Sequence, residues 1–418
     1  MFSIKPVDNF CVFKKLGPTK QFLSLCVTMS RTRVLRKMTL KRSESGLIPP
    51  EDSGVEESDK LALLLNTEKL IVACADMQGR RNNMEDCYIN ARACAAPPAT
   101  KQETASRRAV ADVSDAAARR SKRNRSDKPS KSTDLPCERT IRIFAVCDGH
   151  GGSECSLFLS QHLAKYVSKH VGSIAVGNCK KIAPVRKAIQ TAFAECESAF
   201  EEACLKTGST SGSTCCMLIL FEKEQIAFIA NCGDSRAVSI SCASDAKQFR
   251  GKLVTRDHSP ADPDEKNRIE ESGGFVMEFG HPGGVVHRVN GSLSVSRSFG
   301  DVTLRPHIIE DPDVYGPFDV RSGRDCAFLL ACDGAFEANT TEELMTELAL
   351  VVGECAANDT DGKQAPETPV GKRKRDSVAI GASKRATDQA FALVHAVRTF
   401  AYARGSYDNV TALWLHFP

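Results

Sequence analysis

Two apolar stretches, "IRIFAVCDGHGG" (Ile141–Gly152) and "CAFLLACDGAFE" (Cys326–Glu337), lie far apart in the chain and both run into Cys-Asp-Gly. Each is too hydrophobic to stay in solvent, so both must enter a core as strands, and each leaves a carboxylate where it emerges. Strands that share a core bring their ends to a common edge, and that edge then carries acid. Further acids stand at strand ends beside small residues: Glu85 and Asp86 in "RRNNMEDC", Asp234 in "NCGDSRAV" and Asp408 in "GSYDNVT". Taken singly, a strand-end Asp is a turn former that hydrogen-bonds its own backbone. Taken together, carboxylates gathered without Lys or Arg between them repel and raise one another's pKa. Hard divalent cations that prefer oxygen ligands, Mg²⁺ or Mn²⁺, resolve that conflict. The glycine after each Asp permits a tight turn and offers a carbonyl oxygen as a further ligand. The expected arrangement is two strands delivering ligands to one metal centre.

The chain between these strands alternates helical and extended patterns. Leu159, Leu163, Tyr166, Val167 and His170 mark one helical face, and Val185, Ile189, Phe193, Cys196 and Phe200 another. "CCMLILFEKEQIAFIANCGDSRAVSI" reads as three strands joined by a polar turn and a tight turn. Asn290-Gly291 predicts a hairpin, because both residues tolerate positive φ. Thr340 and Glu343 form a capping box that opens a helix. Phe391, Val394, Val397 and Phe400 mark a last helix ended by Gly405. "VTALWLHF" closes the chain as a strand. Antiparallel hairpins mixed with helices, without regular βαβ repeats, give the class α+β.

Composition bears on what surrounds this core. In 418 residues, 42% hydrophobic and 26% charged is an ordinary globular balance, and a net charge of +4 gives no field that selects a partner. Eighteen cysteines are scattered with no Cys-x-x-Cys pair, so reduced, mostly buried thiols of an intracellular protein are expected, with no zinc ribbon or redox dithiol. No apolar run reaches the roughly 20 residues of a membrane span. Residues 1–60 read as a basic, disordered extension and acidic linker; an organelle transit segment shares that composition. Two basic stretches without hydrophobic periodicity, about 95–136 and 358–385, read as disordered insertions. The "GKRKR" run in the second fits nuclear import or a solvated loop. The cytoplasm, the nucleus or both are the expected compartments.

In order along the chain, "RRNNMED", "VCDGHGG", "SGSTCC", "ANCGDSRAV", "TRDHSPADPDEKNRIEESGGFV", "RVNGSLSVSRSFGD", "LACDGAF" and "GSYDNVT" resemble the motifs of type 2C metal-dependent serine/threonine protein phosphatases. The resemblance covers about Ile71 to Phe417 apart from the two basic insertions, and places the domain at 69–418. It implies an antiparallel β-sandwich flanked by helix pairs on both faces, four layers in the order α-β-β-α, with a two-metal site at one end. It also implies that Asp148 bridges the metals, that Gly149 lends its carbonyl, and that Asp333 and Asp408 complete one metal while Glu85 holds the other. By the same resemblance Asp86 binds metal waters, and Asp234 with Asp333 holds a weaker third ion. Arg81 would grip phosphoryl oxygens with its planar fork, and His150 would be the general acid. The implied reaction is hydrolysis of phosphoserine and phosphothreonine in proteins. Two metals about 3.5–4 Å apart acidify a bridging water, whose hydroxide attacks phosphorus directly.

Other readings stand beside this one. His150 also fits a turn residue that orients a carboxylate. Cys147 and Cys332 adjoin ligand aspartates, but alternation turns them to the opposite face and into the core. A catalytically weak relative that binds phosphoproteins or a kinase would be marked by lost ligand acids, and every matched position is acidic. The basic stretches lack the interleaved aromatics of a nucleic-acid surface, so nucleic acid is not expected as a partner. A monomer acting on phosphoprotein substrates, with no membrane contact, is the expectation. Phe336-Glu337 replaces the family's usual Trp-Asp pair, which predicts altered packing with the metals retained.

Overall fold

Alternation along the strands sorts most apolar side chains into three large cores, beside a small fourth cluster around Ile269. The computed structural model describes residues 60–67, 69–95, 139–242, 249–281, 284–321, 326–358 and 374–418. All of them belong to one folded unit, Glu56–Pro418. The expected extension over 1–60 and insertion over 95–136 lie, but for their end residues, outside the described residues.

One sheet has six strands: β1 (Lys60–Thr67), β2 (Leu70–Met77), β16 (Val410–Phe417), β15 (Cys326–Ala331), β9 (Arg236–Cys242) and β10 (Phe249–Leu253), in that spatial order. The other has five: β14 (Asp313–Asp319), β8 (Ile226–Cys232), β7 (Cys215–Phe221), β4 (Arg139–Cys147) and β3 (Cys87–Ala95). Neighbouring strands in both sheets pair antiparallel. Phe144 and Val146 of β4 point inward and meet Phe328, Leu330 and Cys332 at the end of β15, while Ile143, Ala145 and Cys147 point the other way. The two stretches with matching ends therefore sit in opposite sheets, facing each other across one core.

The outer faces are covered by helices. α1 (Glu154–Gly172) and α2 (Ile182–Thr207) lay Leu159, Leu163, Val167, Val185, Ile189 and Phe193 on the five-stranded sheet. Burying each such side chain contributes about 1.5–3 kcal/mol. α2 stops at Gly208, whose φ of 74° lets its N–H reach the Cys204 carbonyl at 2.7 Å. A short α3 (Pro263–Glu271) packs Ile269 beneath a two-stranded hairpin, β11 (Val276–His281) with β12 (Gly284–Val289). α4 (Thr341–Asn358) and α5 (Lys374–Arg404) set Leu344, Leu348, Val394 and Val397 against the six-stranded sheet. The layers are α-β-β-α, as expected. The Thr340–Glu343 capping box is present, with Glu343 N donating to Thr340 Oγ1 at 3.2 Å and Thr340 N to Glu343 Oε2 at 2.9 Å.

Two expectations are corrected. Of the insertion expected over 358–385, residues 359–373 lie outside the described residues, and the backbone from Lys374 is not loop but helix, the start of α5. Lys, Arg and Ala are good helix formers, so a run of charge there does not by itself mark a loop. Asn290-Gly291 does make a turn with positive φ at both residues, but β12 pairs back onto β11 and only a single bridge, Val289 to Leu293, follows. Gly212–Ser213 (β6) first joins a small three-stranded sheet with Gly149–His150 (β5) and Phe299–Gly300 (β13).

Candidate metal centre

β4 and β15 end at the same edge of the sandwich, and their terminal residues Asp148 and Asp333 meet there. Asp148 is held by Thr214: its N–H donates to Thr214 Oγ1 at 3.2 Å, and its carbonyl accepts from Thr214 N at 2.8 Å. Thr214 Oγ1 also bonds Ser235 Oγ at 2.7 Å, which ties Asp148 to the corner where β8 passes into β9 of the other sheet. Asp234 sits in that corner, beside Gly233 at φ 109°. The tight turn expected there is thus the crossing between the two sheets.

Arg81, Glu85 and Asp86 come from the loop between β2 and β3, which Asn409 staples in place. Its Oδ1 accepts from Glu85 N at 2.8 Å, and its Nδ2 donates to the carbonyls of Gln78 at 2.7 Å and Asn83 at 3.0 Å. Asn409 N in turn donates to Asp408 Oδ1 at 2.7 Å, and Asp408 Oδ2 accepts from the Arg81 guanidinium. This corrects the expectation of a cluster without cations, since Arg81 pairs with Asp408 at its rim. Arg236, clamped on Asp257 at 2.7 and 3.0 Å, adds a second positive charge near Asp234 and Asp333.

Burial and mutual repulsion push these acids toward the neutral form. Burial, then the charges of Asp86, Asp333, Asp234 and Asp408, raise Asp148 well above the carboxylate range. Burial and Asp333 push Asp234 up to about 8, and burial and Asp408 push Asp333 up to about 6. Asp86 is pushed up to about 7 by burial, tempered by the nearby Thr411 hydroxyl and Cys332 thiol. Neither oxygen of Asp86 meets a donor in good hydrogen-bond geometry, and Asp333 Oδ1 is buried without a partner as well. For Arg81, burial works against the charge but Asp408, Asp148 and Asp333 outweigh it and raise its pKa further.

The glycines after the two aspartates do a different job from the one expected. Gly149 and Gly334 have no positive φ. A Cβ at Gly149 would overlap the Glu85 carbonyl oxygen, and one at Gly334 would overlap that of Asn409. They are glycines because two carboxylate-bearing segments close on them.

β5 carries His150 along the rim. Its Nε2 lies 2.7 Å from Asp301 Oδ2, which also accepts from Ser298 Oγ. Burial lowers the His150 pKa, but Asp301 more than reverses this, and Asp234 and Glu85 act the same way. Asp301, Asn409 and Thr214 also position the site; Asn409 follows Asp408 in "GSYDNVT", whereas the motifs that hold Asp301 and Thr214 contain no other site acid and give no local signal. Cys147 packs toward the helices, as expected of core. Cys332 is buried between the sheets, but its sulfur also belongs to the site, lying within 4.8 Å of an oxygen of Asp86 and one of Asp148. Phe336 is buried under the Arg236 guanidinium, 5.0 Å from its ring centre, and Glu337 Oε2 accepts from Ser406 Oγ at 2.8 Å and Tyr407 N at 2.9 Å, just ahead of Asp408. Twelve described cysteines are free thiols, and ten of these are buried.

The family model for protein phosphatase 2C matches residues 111–349, a span that includes Asp148, His150, Asp234 and Asp333 but not Arg81, Glu85, Asp86 or Asp408. The chain is 33% identical over 278 residues to probable protein phosphatase 2C 59 of Arabidopsis thaliana, covering 66% of this chain and 70% of that protein. It is 35% identical over 204 residues to probable protein phosphatase 2C 59 of Oryza sativa subsp. japonica, covering 49% and 55%. The chain spans about half the length of the curated relatives it matches. The fold is similar to that of the serine-threonine phosphatase 2C from Toxoplasma gondii, with a TM-score of 0.54 at 17% identity over 89% of this chain and 100% of that one. A C. elegans sex determining protein gives the same TM-score at 23% identity, over 83% and 64%. With four layers in this order and a family match across more than half its length, the chain belongs to the protein phosphatase 2C family.

Proposed function

We propose that this chain hydrolyses phosphoserine and phosphothreonine in proteins with the help of Mg²⁺ or Mn²⁺. The observation that carries the reading is the buried aspartate cluster at the sandwich edge, in which both oxygens of Asp86 and Oδ1 of Asp333 are buried without a hydrogen-bond partner and the carboxyls are driven toward protonation. Such a donor set fits hard divalent cations, which supply the missing positive charge. Asp148, Asp333, Asp408 and Glu85, with the Gly149 carbonyl, would hold two ions, and Asp234 with Asp333 a weaker third; Asp86 would order their waters. When bound, the metals acidify a water for direct attack on phosphorus and draw charge from the phosphoryl oxygens.

The remaining roles belong to the protein's own side chains. Arg81 stands at the rim with 56% of its side chain exposed, so the N–H groups not used by Asp408 are free to take two phosphoryl oxygens. His150, biased toward imidazolium by Asp301, can give its proton to the serine or threonine alkoxide as the P–O bond breaks.

The test is hydrolysis of phosphoserine and phosphothreonine peptides by the full chain. Activity is expected only with added Mg²⁺ or Mn²⁺, and Asp148→Asn should abolish it while the circular dichroism spectrum stays that of the wild type. Full activity in excess chelator would overturn the metal-dependent reading. Peptide binding without turnover would favour a phosphoprotein-binding relative.

A further inference from the structure

Beside Arg81 stands a second guanidinium that hydrolysis itself does not use. Arg80 is exposed and lies over two tyrosine rings, 4.8 Å from the centre of Tyr402 and 4.8 Å from that of Tyr407. Both rings are open to solvent, Tyr407 with 66% of its surface. Nη1 of Arg80 donates to Ser406 O at 3.3 Å, and its other N–H groups meet no acceptor among the described residues. The segment that receives it is itself fixed, because Glu337 Oε2 accepts from Ser406 Oγ at 2.8 Å and from Tyr407 N at 2.9 Å. Two residues further on, Asp408 takes the Arg81 guanidinium. The two arginines therefore grip one segment at points no more than about 7 Å apart along the chain. Rings beneath a guanidinium steady it and leave its edge free for in-plane hydrogen bonds.

We propose that Arg80, set on Tyr402 and Tyr407, is a specificity subsite for an Asp or Glu carboxylate one or two residues from the phosphorylated serine or threonine. It rests on the reading above for where the phosphate sits. A peptide whose phosphate is held by Arg81 carries its neighbouring residues across Arg80, since an extended chain advances about 3.3–3.6 Å per residue. A carboxylate is planar and offers two acceptor oxygens, which match the free N–H groups of the fork. The rings already order the guanidinium, so less side-chain freedom is lost when the carboxylate arrives. Without Arg80 the same carboxylate would face Glu337 and Asp408, and like charges in that position repel.

Fluorescence anisotropy on the full chain with Mg²⁺ tests this, using labelled peptides that carry a non-hydrolysable phosphonate in place of phosphoserine. Glu, Ala or Lys is placed one or two residues to either side of the phosphonate. At one of these positions Glu should bind about three- to fivefold more tightly than Ala, the upper end of what an exposed ion pair supplies, and added salt should shrink the ratio. Arg80→Gln should bring the Glu-to-Ala ratio to one or below, and Arg80→Glu should make the Lys peptide the preferred one. Arg321→Gln, which removes an exposed arginine paired with Asp319, should keep the wild-type ratio. A variant that only misfolds loses affinity for every peptide and does not reverse the preference. Equal affinity for Glu and Ala peptides, no measurable binding of either, or a preference that survives Arg80→Gln overturns the proposal. None of these measurements requires turnover. An inactive chain with an Arg80-dependent preference would therefore sink the phosphatase reading alone, and an active chain indifferent to flanking charge would sink this proposal alone.

Discussion

At position 150 burial and a neighbouring carboxylate pull the imidazole in opposite directions, and the carboxylate wins. Asp301 is the cause, and Gly212 makes room for the pair, since a Cβ there would overlap both His150 Nε2 and Asp301 Oδ2. A general acid must be protonated to act, so its activity falls as pH rises through its pKa. Asp301→Asn removes the raising partner and leaves the lowering burial. The alkaline limb of kcat against pH, measured on a phosphoserine peptide, should move to lower pH in that variant; an unmoved limb would remove Asp301 from this role. His150→Ala should slow the alkyl phosphate by about 10²–10⁴-fold, and an aryl phosphate with a stabilised leaving group far less. Equal losses on both would leave His150 as a residue that only orients a carboxylate. His150 was legible because it sits in a motif with Asp148. Asp301 was not, because its partner lies 151 residues away and nothing local marks the pair.

At the scale of elements, the site depends on how closely strand ends and loops approach. Gly334 lies against the Asp408–Asn409 backbone and Gly149 against that of Glu85. Gly334→Ala should destabilise the fold by about 1–3 kcal/mol, the range for an extra group forced into packed space. It should also weaken Mg²⁺ binding by displacing Asp408. Gly177, an exposed position with open space around its missing Cβ, is the control, and Gly177→Ala should change neither. Urea denaturation and calorimetry measure both effects, and a neutral Gly334→Ala would show that the two segments can part without cost. The cysteines obey the same strand geometry. Cys87 pairs in register with Cys147, and Cys215 with Cys232, so these thiols line up across the five-stranded sheet just beneath the acids. Their abundance reflects the packing of that sheet on α1 and α2, while Cys332 faces the other way and alone enters the cluster.

Across the whole molecule, the cluster couples stability to pH and to metal. Asp86, Asp148, Asp234 and Asp333 bind protons more tightly folded than unfolded, where an Asp titrates near 3.9. The contribution of Asp333, Asp86 and Asp234 is therefore fully present below about pH 4 and is lost as pH rises through about 6 to 8, and that of Asp148 is lost in the same direction. His150, also raised, adds a loss in the same direction near and above pH 6.5. Glu265 and Asp313, each held at about 2 by ion pairs, act oppositely and lose their contribution only in stronger acid. A divalent cation favours the charged carboxylates, so Mg²⁺ should raise the melting temperature more at pH 8 than at pH 5.5. At a hundred times its Kd the stabilisation is about 2.7 kcal/mol. Thermal melts with Mg²⁺ and with chelator at the two pH values read the difference, in which groups remote from the metal cancel. An equal rise at both would mean that these carboxyls do not take up the ion.

Local spacing determined most of the elements. The helical faces of α1, α2 and α5, the capping box at Thr340, the strands from β7 to β9 and the acids at strand ends were all legible, because each depends on neighbours a few residues apart. The sheet-to-sheet crossing at Asp234, the Asn409 staple, the Arg81–Asp408 pair spanning 327 residues and the sulfur of Cys332 against Asp86 were decided only by the tertiary structure. The physical reason is register. Periodicity says which face of a strand is apolar, but which loop meets which strand end depends on how two sheets and their helices stack. That stacking is set by the packing of whole faces and by no single stretch of chain.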